Sequence, residues 1–280
     1  MRTNRQLHGI AATLLLPRLL FAADSLSSES NTTPEDRLLL SAEGSTLSHA
    51  SGGGGGSIGW LHDWQNFTVS AGGEYQTLDT AHWAFGSLSG AITIGNLSVY
   101  GETNNGSGNS GLVGTPNRYD YDVEAVGLSA AFDRRFTIQM DTHQFNVDNV
   151  HGNLPKIAVG VLLPLQLLTT GSYAHSVTGN LGTELTSLRL DHFGQTVNWL
   201  LGGTTGHVPP PIVNLAPEQT AAAQPYHEGY VGISKKYPGT EWSLLADYVS
   251  SAGTKRVTLS LSCSFRISEE FLEDTWELIR

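Results

Sequence analysis

The ionisable side chains of this chain recur at a spacing of two, and that spacing limits the chemistry open to them. Asp120, Asp122 and Glu124 alternate with apolar or aromatic residues in Y-D-Y-D-V-E-A; Asp141 stands two before His143, and Arg189 two before Asp191. Glu74 and Arg256 sit in runs of the same alternating kind. In a β-strand, residues two apart share a face, so each of these sets lands on one surface. Three uses compete for such a surface. Opposite charges can hold a polar interior together by pairing. A row of acids can line a narrow pore that prefers cations. Asp141 can also orient His143 as a base, but no serine and no metal-ligand spacing points to the same place, so no catalytic residue is assigned. No metal and no other cofactor is expected. His49-Ala50-Ser51 falls in a linker-like stretch, and His175-Ser176 is adjacent rather than spaced, which suits rim polarity better than catalysis.

These residues need strands to position them, and the clearest strand is the last. Val257, Leu259, Leu261, Cys263 and Phe265 share one parity, and Arg256, Thr258, Ser260, Ser262 and Ser264 the other. One face is wholly apolar and the other wholly polar. Ten residues, at about 3.3 Å each and tilted, span roughly the 25 Å apolar band of an outer-membrane barrel. A final strand ending on phenylalanine also resembles the C-terminal insertion signal of such barrels, although fifteen residues follow Phe265 here. The apolar face is then membrane-facing and Arg256 lumen-facing.

Upstream, the same alternation separated by turn residues predicts twelve strands, at 67–77, 83–94, 97–104, 119–131, 136–146, 156–163, 167–176, 184–192, 195–204, 227–234, 241–250 and 255–265. In the second, Trp83 and Phe85 have one parity and Leu88, Ile92 and Ile94 the other, so a bulge near Gly86 is expected. Links at 95–96, 134–135, Pro164, 193–194 and 236–240 are short, whereas 105–118, 147–155 and 205–226 are long. Short periplasmic turns with long outer loops are the asymmetry of outer-membrane barrels. Three acids on a lipid face would cost several kcal/mol, so Asp120, Asp122 and Glu124 must point into the lumen or lie above the membrane. The lumen assignment places Tyr119 and Tyr121 in an aromatic girdle. Glu74, Asp141, His143, Arg189, Asp191 and Arg256 complete the lumen-facing set.

Composition agrees with a barrel. Charged residues make up 15% of the 280 residues and glycines number 32, a charge deficit against the roughly 25% of ordinary domains. The formal charge of −11 argues against a nucleic-acid partner, and one cysteine excludes an internal disulfide. Between 67 and 265 there are 15 acids and 9 bases, a net of −6. Residues 1–23 read as a secretory signal, 24–56 as a disordered Ser/Gly-rich linker, 57–265 as the barrel and 266–280 as an acidic amphipathic tail or short helix.

Two hairpins narrow the comparison. Ile157 to His175, I-A-V-G-V-L-L-P-L-Q-L-L-T-T-G-S-Y-A-H, and Leu185 to Leu201, L-T-S-L-R-L-D-H-F-G-Q-T-V-N-W-L-L, resemble the barrel domain of the YaiO-type outer-membrane proteins. The resemblance implies fold and location and carries over no catalytic residue. The expectation is an all-β antiparallel transmembrane barrel of about twelve strands in the bacterial outer membrane. Its partners would be membrane lipid and the barrel-assembly machinery. Its role would be structural or a small-solute pore, with surface polysaccharide as a candidate association. A lipid- or lipopolysaccharide-modifying enzyme and a secreted β-sandwich adhesin stay open as alternatives.

Overall fold

Period-two alternation runs through most of the described chain, and strand pairing converts it into two continuous faces. The computed structural model describes residues 34–267, apart from residues 49, 79–80, 110–117, 134, 148–149, 180–181, 209–222 and 252–253. The signal-like segment 1–23, the tail from 268 onward and the Pro209-Pro210-Pro211 loop lie outside the described residues.

Fourteen antiparallel strands close into a barrel: β1 (Glu35–Leu47), β2 (Ala50–Trp64), β3 (Phe67–Leu78), β4 (Ala81–Ile94), β5 (Leu97–Asn109), β6 (Arg118–Phe132), β7 (Phe136–Val147), β8 (Val150–Leu163), β9 (Leu167–His175), β10 (Glu184–His192), β11 (Val197–Val208), β12 (Gln224–Tyr237), β13 (Thr240–Ser251) and β14 (Thr254–Ile267). Each strand pairs with its sequence neighbours, and β1 closes on β14 from Asp36 opposite Ile267 to Leu47 opposite Arg256. Closure leaves no unpaired edge, the condition for placing β-structure in lipid.

The expected count of about twelve is corrected to fourteen. The twelve strands read from the sequence correspond to β3–β14, and the two missed ones occupy 35–64. The stretch 24–56 is therefore not a linker over its described part. Gly52 to Gly56 lies in the first half of β2, with Gly53 to Gly56 opposite Ser45 to Ala42 of β1 and Leu78 to Tyr75 of β3. An ideal Cβ on Gly55 would stand 2.6 Å from the Tyr75 carbonyl oxygen. Close approach of two backbones, rather than flexibility, accounts for glycine at this place. The bulge expected near Gly86 is also absent, because β4 pairs in unbroken register with both β3 and β5. Its parity switch is real but has another cause: Trp83 and Phe85 point inward, while Leu88, Ile92 and Ile94 point outward.

The outward face carries an apolar belt. Leu88, Ile92, Val99, Val126, Met140, Val159, Leu188, Val231 and Leu259 are all exposed at this surface. Trp60, Trp64, Phe67, Phe132, Phe136, Trp199, Tyr237 and Trp242 flank the belt on the side of the short turns. A contiguous apolar ring edged by aromatics is unstable in water and is the signature of a membrane-embedded barrel. Turns on that side are short, such as 65–66, 95–96 and Pro164–Gln166. On the opposite side, here called the outer end, 110–117, 176–183 and 209–223 are longer. The expected long link at 147–155 is mostly strand, since β8 begins at Val150.

Candidate functional site

Inside the barrel, residue type changes with depth. At the outer end many of the inward side chains are apolar, with buried polar ones such as Gln76 and Asn104 set among them. Leu78, Trp83, Tyr121, Val123, Phe145 and Leu154 form one buried cluster, and Leu185 links it to Val208, Tyr226 and Val249 on the other side. The Phe85 and Tyr121 rings pack 5.8 Å apart. These side chains make an apolar cap inside the outer mouth.

Below the cap lies a charged layer. Tyr100 of β5, Gly127 of β6, Asp141 of β7 and Lys156 of β8 occupy one cross-strand row. The Tyr100 hydroxyl donates to Asp141 Oδ2 at 2.9 Å, and Gln139 Nε2 donates to the same oxygen at 2.9 Å and to the Tyr100 oxygen at 2.8 Å. His143 Nε2 lies 3.0 Å from Asp141 Oδ1, and its ring stacks on Phe145 at the base of the cap. The Asp141 side chain is 1% exposed. A carboxylate so enclosed is tolerable only with several donors and a nearby cation, and Lys156 supplies the charge.

A second group sits beside it on β10, one strand beyond the neighbour of β8 and close enough for Lys156 to feel the Arg189 charge. Arg189 grips Asp191 through Nε at 2.8 Å and Nη2 at 2.5 Å. Tyr230 of β12 lies against Gly202 of β11, the residue opposite Arg189. A third group spans the closing seam: Arg256 Nη2 stands 4.0 Å from Asp247 Oδ2, and Glu43 and Glu228 also feel its charge. The Tyr226 hydroxyl donates to Glu228 at 3.2 Å. Glu74 takes a hydrogen bond from Gln76, and Glu102 one from Asn104 at 2.6 Å. Elsewhere the wall is built of small residues, with hydroxyl pairs Ser41–Ser57 and Ser70–Ser89 at 2.7 Å each.

The structure places Glu74, Asp141, His143, Arg189, Asp191 and Arg256 on the inner face. Asp120, Asp122 and Glu124 are a correction to the lumen-facing set. They share the outward parity of Val126 and Leu128, opposite Ser107, Asn105 and Thr103 of β5. Tyr121 and Val123 point inward and are buried in the cap, so Tyr121 is not part of an outer girdle. The physical reason is depth. These acids lie toward the outer end of β6, beyond the apolar belt, where the outward Asp120 and Glu124 are exposed to water, Asp122 between them is half-buried, and the cap takes inward positions. Asp120 is 83% exposed, beside Arg118 at 3.6 Å. On β14, Val257, Leu259, Leu261 and Phe265 face outward with Cys263, which is buried between Leu40 and Trp242.

Several interior residues escaped the sequence reading. Tyr100, Glu102, Lys156 and Glu228 each sit at inward parity in a strand whose face is otherwise small or mixed. Glu43 lay in the stretch read as linker. Their common signal is a polar residue with the parity of neighbouring serines and glycines, visible only once the strand is recognised. Asp141 and His143 make a hydrogen-bonded pair, yet among the described residues no serine or threonine hydroxyl bonds to His143.

No protein-family model matches the chain, and no curated protein does. Solved structures do resemble it. The CymD monoaromatic hydrocarbon channel matches with a TM-score of 0.53 at 10% identity, over 84% of this chain and 89% of that one. The TodX monoaromatic hydrocarbon channel matches with 0.55 at 6% identity, over 84% and 90%. The outer membrane protein Omp33 of Acinetobacter baumannii matches with 0.50 at 12% identity, over 83% and 99%. At such low identity the likeness establishes the fold, a closed barrel of the outer-membrane type.

Proposed function

We propose that the protein is a narrow outer-membrane channel for small solutes that favours cations over anions. The observation that carries this reading is the charge of the lumen. Glu43, Glu74, Glu102, Asp141, Asp191, Glu228 and Asp247 face inward there, against the bases Lys156, Arg189 and Arg256; toward the short turns Glu35, Asp63 and Glu241 share the inward parity with Arg37, Lys236 and Arg266, so acids stay in excess. An excess of fixed negative charge in a confined, low-dielectric passage raises the local concentration of cations. Asp141, Asp191, Glu228 and Arg256 are buried among neighbours, so the passage is tight and its solutes are small. The membrane-facing belt and the likeness to barrels described as channels support the same reading.

A second reading has its own observation. The apolar cap spans the outer mouth, and a cap that never parts would make the barrel a structural element of the envelope. The test for both is conductance of the refolded barrel in a planar bilayer. Small, cation-preferring unitary currents are expected. A barrel that inserts but never conducts would remove the channel reading and leave the structural one.

A further inference from the structure

Lys156, Arg189 and Arg256, the inward cations away from the short-turn end, are not equivalent. Arg189 is matched to Asp191 by two short hydrogen bonds, and Lys156 shares Asp141 with His143, Tyr100 and Gln139. In each place roughly one base meets one acid. Arg256 differs: it faces three carboxylates, each from a different strand. Asp247 on β13 is its near partner at 4.0 Å, Glu228 stands on β12, and Glu43 reaches in from β1 across the seam that closes the barrel. The register brings them together. Asp247 is opposite Thr258, two residues from Arg256; Glu43 is opposite Ser260; and Glu228 is opposite Val249, which is itself opposite Arg256. Tyr226 and Tyr230 are also turned toward Glu228, and the Tyr226 hydroxyl is spent on it.

We infer that Arg256 sets the selectivity of the channel: a resident guanidinium occupies a cradle of three carboxylates and cancels only part of their charge. This rests on the channel reading. The physical argument is that the cradle gathers three acids around one base, so a net negative field remains there to act on passing ions. A guanidinium is always charged and cannot leave its tether. It therefore lowers the depth of a cation well that would otherwise trap permeant cations, while the uncancelled acids keep anions out. Removing its charge should sharpen the preference for cations. Removing one carboxylate with it should restore the original balance.

The experiment measures reversal potentials in planar bilayers under a potassium chloride gradient for the full-length barrel and its variants. Arg256→Lys keeps the wild-type reversal potential. Arg256→Gln moves it toward the potassium equilibrium potential, and Arg256→Gln with Asp247→Asn brings it back. Should Arg256→Gln fail to assemble, as judged by heat-modifiable mobility, Glu43→Gln and Glu228→Gln give the same information with opposite sign, each shifting the potential toward chloride. A conducting barrel whose reversal potential ignores Arg256→Gln, or in the fallback ignores both carboxylate variants, overturns the inference alone. A wild-type barrel that never conducts overturns the channel reading and this inference with it.

Discussion

The ring of Tyr100 lies across Gly127. The two residues are direct cross-strand partners on β5 and β6, and an ideal Cβ on Gly127 would overlap the phenol. The missing side chain is what lets the hydroxyl reach over one whole strand to Asp141 on β7, at 2.9 Å. The same arrangement recurs with Tyr230 lying against Gly202, opposite Arg189. Gly127→Ala should displace the ring and cost about 1–3 kcal/mol of overpacking. Tyr100→Phe should cost roughly 1.5–3 kcal/mol, the worth of a hydrogen bond to a charged group. Because both act on one contact, the double variant should lose clearly less than the sum. Urea unfolding in lipid vesicles reads this out, and strict additivity would contradict the coupling.

Asp141 is the acid on which the first polar group converges. Asp141→Asn leaves Lys156 facing a neutral amide in an enclosed place, so a loss of roughly 3–5 kcal/mol is expected, as when one partner of a buried ion pair is removed. Replacing His143 by alanine should cost much less, since His143 is only one of several donors to that carboxylate. Equal losses for the two would show that the imidazole, rather than the carboxylate, organises the group.

The outward acids of β6 give the opposite expectation. Asp120→Asn combined with Asp122→Asn should leave the reversal potential of the conducting barrel unchanged, because both side chains point away from the lumen. A clear shift would mean that the parity of β6 is inverted near its outer end.

Much of this architecture was readable from alternation alone, and where reading failed the reasons are physical. Twelve strands follow from residues such as Val257 to Phe265, whose inner and outer faces differ sharply in polarity. β2 hides because Gly53 and Gly55 face inward as bare backbone, so no inner polar face is written in its sequence. β1 was lost with it, since D-R-L-L-L-S-A holds three consecutive leucines and only Ala42, Glu43 and Gly44 hint at alternation. For the acids of β6, alternation shows that Asp120, Asp122 and Glu124 share a face, but not which face, because their depth relative to the belt depends on the length of the neighbouring strands. Val126 and Leu128, continuing the same parity, are the residues that settle it.

The apolar cap predicts a gate-like response. Phe145→Ala and Trp83→Ala each remove a buried aromatic from the outer mouth, at a cost of about 3–5 kcal/mol in packing. If the cap restricts passage, unitary conductance should rise in both variants while the charged layer keeps the cation preference. A conductance that stays fixed in both would place the narrowest point deeper, among the buried ion pairs.

The strongest test of the fourteen-strand barrel removes the two strands that sequence reading missed. Deleting residues 35–64 takes away the partner of β14 along its full length and that of β3 on its β2 side. Both would then present rows of unpaired N–H and C=O groups to lipid, each costing several kcal/mol. Resealing would require β3 to pair with β14, and the outward small residues of β3, Ala71 and Gly73, would have to match the bulky Leu259 and Leu261 in a register the native barrel never uses. The truncated chain should therefore fail to acquire heat-modifiable mobility in detergent or vesicles, whereas removing only residues 1–33 should leave assembly of the purified barrel intact. A compact, heat-modifiable barrel from the 35–64 deletion would show that twelve strands suffice and that β1 and β2 are an accessory hairpin.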